Sequence, residues 1–185
     1  SPSETPINNT VSEINKILNS SDNEMNGRIG ENKVFNKIPK DTYYKVIHNF
    51  KLKDELGIHQ IDLLLIRPNG LFCIEIKNIK GKIFSSLRST YWWTHLKDEK
   101  YRFYNPIKQN MGHIKVLNKA INYKHKINSL IVFASNNFKN DELDNVINLN
   151  DFESYIINFN NNTTLSSKEI DDVFNMIKDY ASRNI

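Results

Sequence analysis

The sequence predicts an α/β or α+β protein with a central mixed β-sheet flanked by helices. Two observations lead to this class. Amphipathic helical segments precede, interrupt and follow a series of short apolar segments, an order that is typical of helices layered on a sheet. The apolar segments are rich in β-branched and aromatic residues and are separated by turn signals, of which Pro68-Asn69-Gly70 is the strongest.

Composition restricts the class further. The 185 residues suffice for one ordinary domain, and 39% hydrophobic with 25% charged residues exclude wholesale disorder. No apolar run approaches the roughly 18 residues that span a bilayer. The single cysteine, Cys73, excludes a disulfide framework and a zinc cluster built from thiolates. We therefore expect a soluble, cytoplasmic protein without membrane contact, and the net charge of +4 is compatible with nucleic acid as a partner.

The N-terminal half is predicted to hold a leader, a helix and three strands. Residues 1–24 are polar and are interpreted as a leader or linker, with a short amphipathic helix at 11–18, and residues 25–185 are interpreted as the domain. A helix is expected over 25–38, where Pro39 stops it. Strands are expected at 43–52, 59–67 and 71–77, the last two joined by the turn at Pro68-Asn69-Gly70.

The C-terminal half is predicted to alternate strands and helices. A strand at 82–85 and a hairpin with arms 90–96 and 101–104 precede a helix that Asn105 caps and that runs to about Tyr123. That helix is expected to bury Ile107, Met111, Ile114, Leu117 and Ile121. Strands are expected at 130–134 and 146–149, and the last helix begins at a capping box of Ser166 and Glu169 and reaches about Ala181.

Two acidic residues lie inside strands that are otherwise apolar. Asp62 and Glu75 must be paired, protonated or bound to metal if they are buried. A two-residue loop between their strands would place Asp62 directly opposite Glu75, whereas a type I turn with Gly70 in a bulge would oppose Asp62 to Ile76. Lys77 lies two residues after Glu75, so that both side chains leave the same face of the sheet.

Two carboxylates and a lysine at one point suit hydrolysis of a phosphodiester. Carboxylate oxygens bind a hard cation such as Mg²⁺, which lowers the pKa of water and stabilises charge on phosphorus, while an ammonium positions the water. The structural alternative is a Glu-Lys pair on a solvated face, and it stays open at this level.

The surroundings of these residues make the chain resemble the NERD (nuclease-related) domain of the PD-(D/E)XK nucleases. The resemblance covers roughly residues 27–118 and implies a restriction-endonuclease-like core. It depends on four blocks in order: Gly27–Glu31; His59–Asp62; Gly70–Asn78 with Gly81; and Trp92/Trp93 followed by Asn105–Asn110 and His113. His59 is a departure, since a hydroxyl residue is more usual there.

The resemblance also implies roles for individual residues. The catalytic set would be Asp62, Glu75, Lys77, Glu31 and Gln60. A Mg²⁺ ion, for which Mn²⁺ can substitute, would be held by the carboxylates of Glu31, Asp62 and Glu75 and by the backbone carbonyl of Ile76. Contacts to nucleic acid would come from Gln109, Lys80, Lys82 and Trp93.

Some of these residues also have a structural explanation. Glu31 is a first-turn acid that a helix dipole favours, Gln109 can face solvent, and lone helical histidines such as His113 are usually structural. Trp92 and Trp93 alternate on a strand, so one of them is expected to enter the core.

The resemblance implies a metal-dependent nuclease, more typically an endonuclease, that acts on DNA or RNA in bacterial or mobile-element DNA metabolism or phage defence. The alternative is a catalytically silent nucleic-acid-binding or interaction module of a larger protein, and a weaker one is a structural metal or salt-bridge site. Partners to be expected are a second copy of the chain or a fused domain such as a helicase.

Overall fold

The computed structural model describes residues 24–184, so the helix expected at 11–18 lies outside the described residues. Helix α1 occupies residues 24–35 and ends before Pro39. The strands that follow are β1 (Lys45–Asp54), β2 (Gly57–Arg67), β3 (Gly70–Lys77), β4 (Lys82–Phe84), β5 (Tyr91–Leu96), β6 (Glu99–Tyr104), β7 (Ile127–Phe133) and β8 (Val146–Asn148). The other helices are α2 (Pro106–Ala120), a short 3₁₀ helix (Leu149–Asp151), α3 (Phe152–Asn158) and α4 (Ser167–Arg183).

The central sheet is mixed, as the sequence predicts. Its strand order is β1-β2-β3-β7-β8, with antiparallel pairing from β1 to β3 and parallel pairing from β3 to β8. Strands β4, β5 and β6 form a second, antiparallel sheet of their own. Because β3 and β7 are parallel, the chain must cross over between them, and this crossover contains the small sheet and α2.

Helices cover both faces of the central sheet. On one face, residues of α2 and α4 such as Leu117 and Val173 share a buried cluster with Leu64 and Cys73. On the other face, Val34 of α1 and residues of α3 pack against Leu63, Leu65 and their neighbours in β3 and β7. This α+β layering confirms the predicted fold class and explains why β2 and β3 are almost wholly apolar: both faces of each strand are buried.

The turn at Pro68-Asn69 sets the register between β2 and β3. The pairs run from Arg67 opposite Gly70 to Leu63 opposite Ile74, which is the register of a two-residue loop. Gly70 has a φ of +150°, a conformation that a residue with a Cβ rarely adopts. The alternative register, with Asp62 opposite Ile76, is therefore wrong.

Helix α2 differs from its prediction in length and in its buried face. It ends at Ala120 instead of about Tyr123, because Asn122 and Tyr123 turn into the left-handed region with φ of 51° and 56°. Met111, expected in the core, is 62% exposed. The buried face is rotated away from it and includes two polar residues, Asn110 and His113.

The C-terminal region contains two short helical elements that the sequence did not indicate. The 3₁₀ helix and α3 follow β8 directly, and their Phe152 and Ile156 are fully buried. Helix α4 begins at the predicted capping box, in which Ser166 and Glu169 cap each other's backbone amides. Within residues 24–184, no helix is long and apolar enough to cross a membrane.

Candidate active site

Asp62 lies where β2 and β3 separate. Their pairing ends at Leu63 and Ile74, one step before Asp62 would face Glu75, and the Asp62 carboxylate instead accepts a hydrogen bond from the Ile76 amide at 2.9 Å. In β1 the facing position is Asn49, which has a φ of +48° and interrupts the pairing between His48 and Phe50.

This distortion changes which face of the sheet the side chains of β2 point to on either side of Asp62. Ile61 packs in the same cluster as Leu64, whereas strict alternation would put it with Leu63 and Leu65. The reversal occurs at Asp62, so the carboxylate leaves the regular ladder and turns to the end of β3. A local irregularity of two strands thus brings an acid from β2 to the backbone of β3.

Glu75 and Lys77 project from the C-terminal end of β3 toward α2. The Lys77 ammonium lies 3.2 Å from Oε1 of Glu75 and donates a hydrogen bond of 3.0 Å to Oε1 of Gln109 on α2. The alternation of the strand places both side chains on one face, and the crossover helix lies above that face. Glu75 is 3% exposed, so the pair is not a solvated surface contact.

His113 borders the other oxygen of Glu75. Its Nδ1 lies 3.5 Å from Oε2 of Glu75, too far for a strong hydrogen bond, and both atoms are buried without a hydrogen-bond partner. Burial first, and then the nearby His59 and Lys77, lower the pKa of His113 to about 4, so the ring is neutral at pH 7. The His59 ring stands edge-on to it at 6.0 Å and contacts Asp54 at 3.0 Å.

Helix α1 brings Glu31 to the same site from the opposite face of the sheet. A close approach at Gly30 allows this, because a Cβ built there would lie 2.8 Å from Cβ of Asn78, just after β3. Burial, the charge of Asp62 and a hydrogen bond to Asp62 raise the pKa of Glu31 to about 7, and Arg28 partly opposes them. Gly30 thus has a packing role, and that role allows α1 to bring Glu31 to the site.

The three carboxyl groups act on one another electrostatically. Burial first and then the charge of Asp62 raise the pKa of Glu75 to about 8, although Lys77 opposes this shift. Burial likewise raises the pKa of Asp62, against the opposing effects of the Ile76 amide and Lys77. Each carboxyl thus resists ionisation, because Glu75 is buried, Glu31 and Asp62 are half-buried, and burial penalises the charged form of all three.

The donor set fits a hard divalent cation. The candidate ligands are the carboxylate oxygens of Glu31, Asp62 and Glu75 and the carbonyl of Ile76, and Mg²⁺ prefers oxygen ligands. Oε2 of Glu75 is a buried acceptor without a hydrogen bond, and the pKa values of Glu75 and Glu31 are raised by burial and by the charge of Asp62. Among the described residues, however, no three His, Cys, Asp or Glu side chains are already spaced as a metal site.

The remaining predicted residues are spread around this centre. Gln60 is exposed on β2 and donates a hydrogen bond of 2.7 Å to Asn49, whereas Gln109 contacts Lys77 directly. Lys80 lies with Lys77 in the wall of a cleft of about 710 Å³ between α1, the end of β3 and β6. Lys82 and Trp93 lie on the small sheet and are exposed.

Two of the predicted structural roles are confirmed by contacts. Trp92 is fully buried while Trp93 is 42% exposed, as the alternation along β5 requires. Asn105 caps α2 by accepting from the Ile107 amide at 2.9 Å, and its amide group donates to three carbonyls of the preceding loop.

The inner face of α2 contains two buried polar residues whose contacts were not predicted from the sequence. Asn110 is fully buried and joins the helix to β3 and β7, because its amide donates to the Cys73 carbonyl and to the Ser129 hydroxyl, both at 2.9 Å. His113 lies one helical turn further along, against Glu75. The signal available in the sequence was the spacing of Gln109 and His113, which places both on one face of a helix.

Comparison with known proteins agrees with this geometry. A family model described as a nuclease-related domain matches residues 26–134, more than half of the chain. The chain is also similar to an uncharacterized protein of Bacillus anthracis, with 32% identity over 108 residues, which are 56% of this chain and 50% of the relative. The chain thus spans about half the length of that curated relative. No solved structure shows significant similarity.

Proposed function

The chain belongs to the nuclease-related domain (NERD) family, and on this premise we propose that it is a Mg²⁺-dependent nuclease that hydrolyses phosphodiester bonds of DNA. The observation that carries the proposal is the meeting of Glu31, Asp62, Glu75 and Lys77 at the end of β3, from three separate elements. A cluster of one buried and two half-buried acids beside one ammonium costs folding free energy, and a role in binding a cation and a phosphate accounts for it.

Asp62, Glu75, Glu31 and the carbonyl of Ile76 would hold the Mg²⁺ ion, with Mn²⁺ as a substitute. When bound there, the ion would supply charge neutralisation for the phosphate and a lower pKa for water. The chain's own contribution is to hold these oxygens in place: the Ile76 amide fixes the Asp62 carboxylate, and the contact at Gly30 fixes the helix that carries Glu31.

Lys77 would orient the attacking water and stabilise negative charge on the phosphate. Its ammonium is held between Glu75 and Gln109, so its position is determined by two elements instead of by its own flexible stem. The phosphate backbone would enter along the cleft whose wall contains Lys77, Lys80 and Arg102. Gln60 lies outside the cluster of contacts around Glu75, and its role in catalysis stays a prediction.

A cleavage assay tests the proposal. The full chain is incubated with closed-circular and linear DNA, each single- and double-stranded, and with RNA under Mg²⁺, Mn²⁺ or EDTA, beside the variants Asp62→Asn and Lys77→Met. Lys168→Met is the matched control, because Lys168 is an exposed lysine of α4 that pairs with Asp172. We expect metal-dependent cleavage that both site variants lose by about 100-fold or more and that the control retains.

The outcomes separate the two functions. Cutting of closed circles identifies an endonuclease, and cutting of linear DNA alone identifies an exonuclease. Binding of DNA without cleavage under either metal would contradict the proposal and favour a silent binding module. The observation that favours this second function is that no three His, Cys, Asp or Glu side chains in residues 24–184 are already spaced to hold a metal.

A further inference from the structure

The small sheet has one buried and one open face. Its inner face carries Trp92, Thr94 and Ile83, which are buried against the main body, and, toward one end, the exposed Leu96 and Tyr101, which line the cleft. Alternation along three short strands puts eight side chains on the outer face, and all except the half-buried His95 are exposed. These outer-face residues are Lys82, Phe84, Tyr91, Trp93, His95, Lys100, Arg102 and Tyr104.

The strand register arranges the outer face in rows. Phe84, Trp93 and Arg102 are directly opposite one another across β4, β5 and β6. Lys82, His95 and Lys100 form the next row, and Tyr91 faces Tyr104 on the other side. Neighbouring side chains in such a row are about 5 Å apart at Cβ, so the outer face is a continuous surface of rings and cations.

The outer face is composed mainly of aromatic and basic residues. It carries four aromatic residues and three permanent cations, and none of its eight residues is acidic. Arg102 lies over the Tyr91 ring at 4.3 Å and Lys82 over the Phe84 ring at 5.3 Å, so two rings already interact with cations. Within the described part of the chain, Trp93 has no ring or cation stacked on it. A solvated sheet face would ordinarily mix both signs of charge and expose fewer rings.

The outer face meets the cleft beside the candidate active site at strand β6, since the other small-sheet residues that line the cleft, such as Thr94 and Phe103, belong to the inner face. Arg102 belongs to the outer face and also lines the cleft that contains Lys77. The strand that carries Arg102 is an edge of the small sheet, so a ligand on the outer face can pass over this edge toward the end of β3.

We propose that the outer face of the small sheet binds single-stranded nucleic acid and guides it over β6 to the candidate active site. The cations attract the phosphates, and the ring of Trp93, which is free of stacked neighbours among the described residues, stacks with a base. A duplex offers its phosphates but hides the faces of its bases, so the aromatic residues would add nothing to its binding. The proposal depends on the proposed function only for the class of ligand.

Binding is measured in EDTA with the full chain, so that the result is independent of catalysis. Fluorescence anisotropy compares a labelled oligo(dT) single strand with a mixed-sequence duplex of the same length. The variants are Trp93→Ala and Trp93→Phe, and Tyr123→Ala is the matched control because Tyr123 is an exposed aromatic residue outside this face. Circular dichroism verifies that each variant is folded.

We expect tighter binding of the single strand than of the duplex. Trp93→Ala should weaken single-strand binding by about ten-fold and Trp93→Phe by less than about three-fold, because a smaller ring still stacks. Removing Lys82 and Lys100 together should reduce the slope of log K against log salt by about 0.7 for each cation. The Tyr123 variant should bind like the wild type.

Equal loss in Trp93→Ala and in Tyr123→Ala, or equal affinity for single strand and duplex, would overturn the proposal. So would dimerisation of the chain that Trp93→Ala abolishes in sedimentation experiments, since the face would then join two copies. A chain that binds the single strand as expected but does not cleave it would refute the proposed nuclease and leave this face established.

Discussion

Glu75 and Glu31 make the stability of the metal-free protein depend on pH. Burial and then the charge of Asp62 raise the pKa of Glu75 to about 8 and that of Glu31 to about 7. The folded state therefore binds protons more tightly than the unfolded chain, in which carboxyl groups titrate near pH 4. The stabilisation is complete below the unfolded pKa and is lost as pH rises through the folded values, between about pH 4 and pH 8.

We expect Glu75→Gln to gain stability relative to the wild type as pH rises from 5 to 9 in EDTA, because the amide has no proton to lose. Thermal unfolding at several pH values measures the difference in melting temperature between the two proteins. The exposed Glu153→Gln on α3 is the control and should show no such trend. A difference that is constant with pH would contradict the raised pKa of Glu75.

At the level of single residues, the sequence indicated the acids but not their surroundings. Asp62, Glu75 and Lys77 stand out because charged residues interrupt apolar strands. The contact of His113 with Glu75 was not predictable, because it depends on how α2 is rotated on the sheet. The break in side-chain alternation at Asp62 was not predictable either. The positive φ opposite it belongs to Asn49, and no glycine in the sequence marks that position.

Helix α1 contributes Glu31 only if it can approach the end of β3. A Cβ at Gly30 would lie 2.8 Å from Cβ of Asn78 and 3.4 Å from Cβ of Ala134, whereas one at Gly27 would meet nothing within 4 Å. Asn78 cannot yield easily, because its side chain bonds to the Asn26 carbonyl and to Ser135. The two glycines lie on the same helix, and a Cβ meets a close neighbour only at Gly30, so Gly27 serves as the control position.

We expect Gly30→Ala to destabilise the protein by about 1–3 kcal/mol, the usual cost of overpacking, and to weaken Mg²⁺ binding by displacing Glu31. Gly27→Ala should be neutral or stabilising by up to about 1 kcal/mol, because alanine favours the helix. Urea denaturation measures both changes, and titration calorimetry measures Mg²⁺ binding. If the two variants behaved alike, the contact with Asn78 would not position α1.

The bounds and buried faces of helices and strands were predictable where apolar residues follow a clear helical or strand period. They were less predictable where an element buries polar residues. The order of strands and the register of β2 on β3 follow from apolar runs and a strong turn. The inner face of α2 could not be predicted in this way, because Met111 fits the apolar pattern but is exposed, whereas Asn110 and His113 are buried. Helix α3 was missed because its seven residues are too few for a clear helical periodicity and the Asn-rich segment at 158–164, which begins at its last residue, favours a loop.

The core extends beyond the part of the chain that the family model matches. The match ends at residue 134, yet Leu165, Ile170 and Val173 are buried on the face of the sheet shared with α2. Phe152 and Ile156 are buried on the opposite face with Leu63 and its neighbours. Without residues 135–184, both faces of the central sheet would expose apolar side chains, and β7 would lose its partner β8.

We therefore predict that a chain ending at residue 134 has no cooperative unfolding transition, as expected if residues 25–185 fold as one domain.

Because a shortened chain can fail to fold for several reasons, Ile170→Ala in the full chain provides a graded test. It should cost about 2–4 kcal/mol, since Ile170 is fully buried against the sheet. The neighbouring Lys168→Ala on the exposed side of α4 should change the free energy of unfolding by less than about 0.5 kcal/mol. A small effect of Ile170→Ala, together with a cooperative transition in the shortened chain, would mean that α4 is an addition to the domain and not a part of its core.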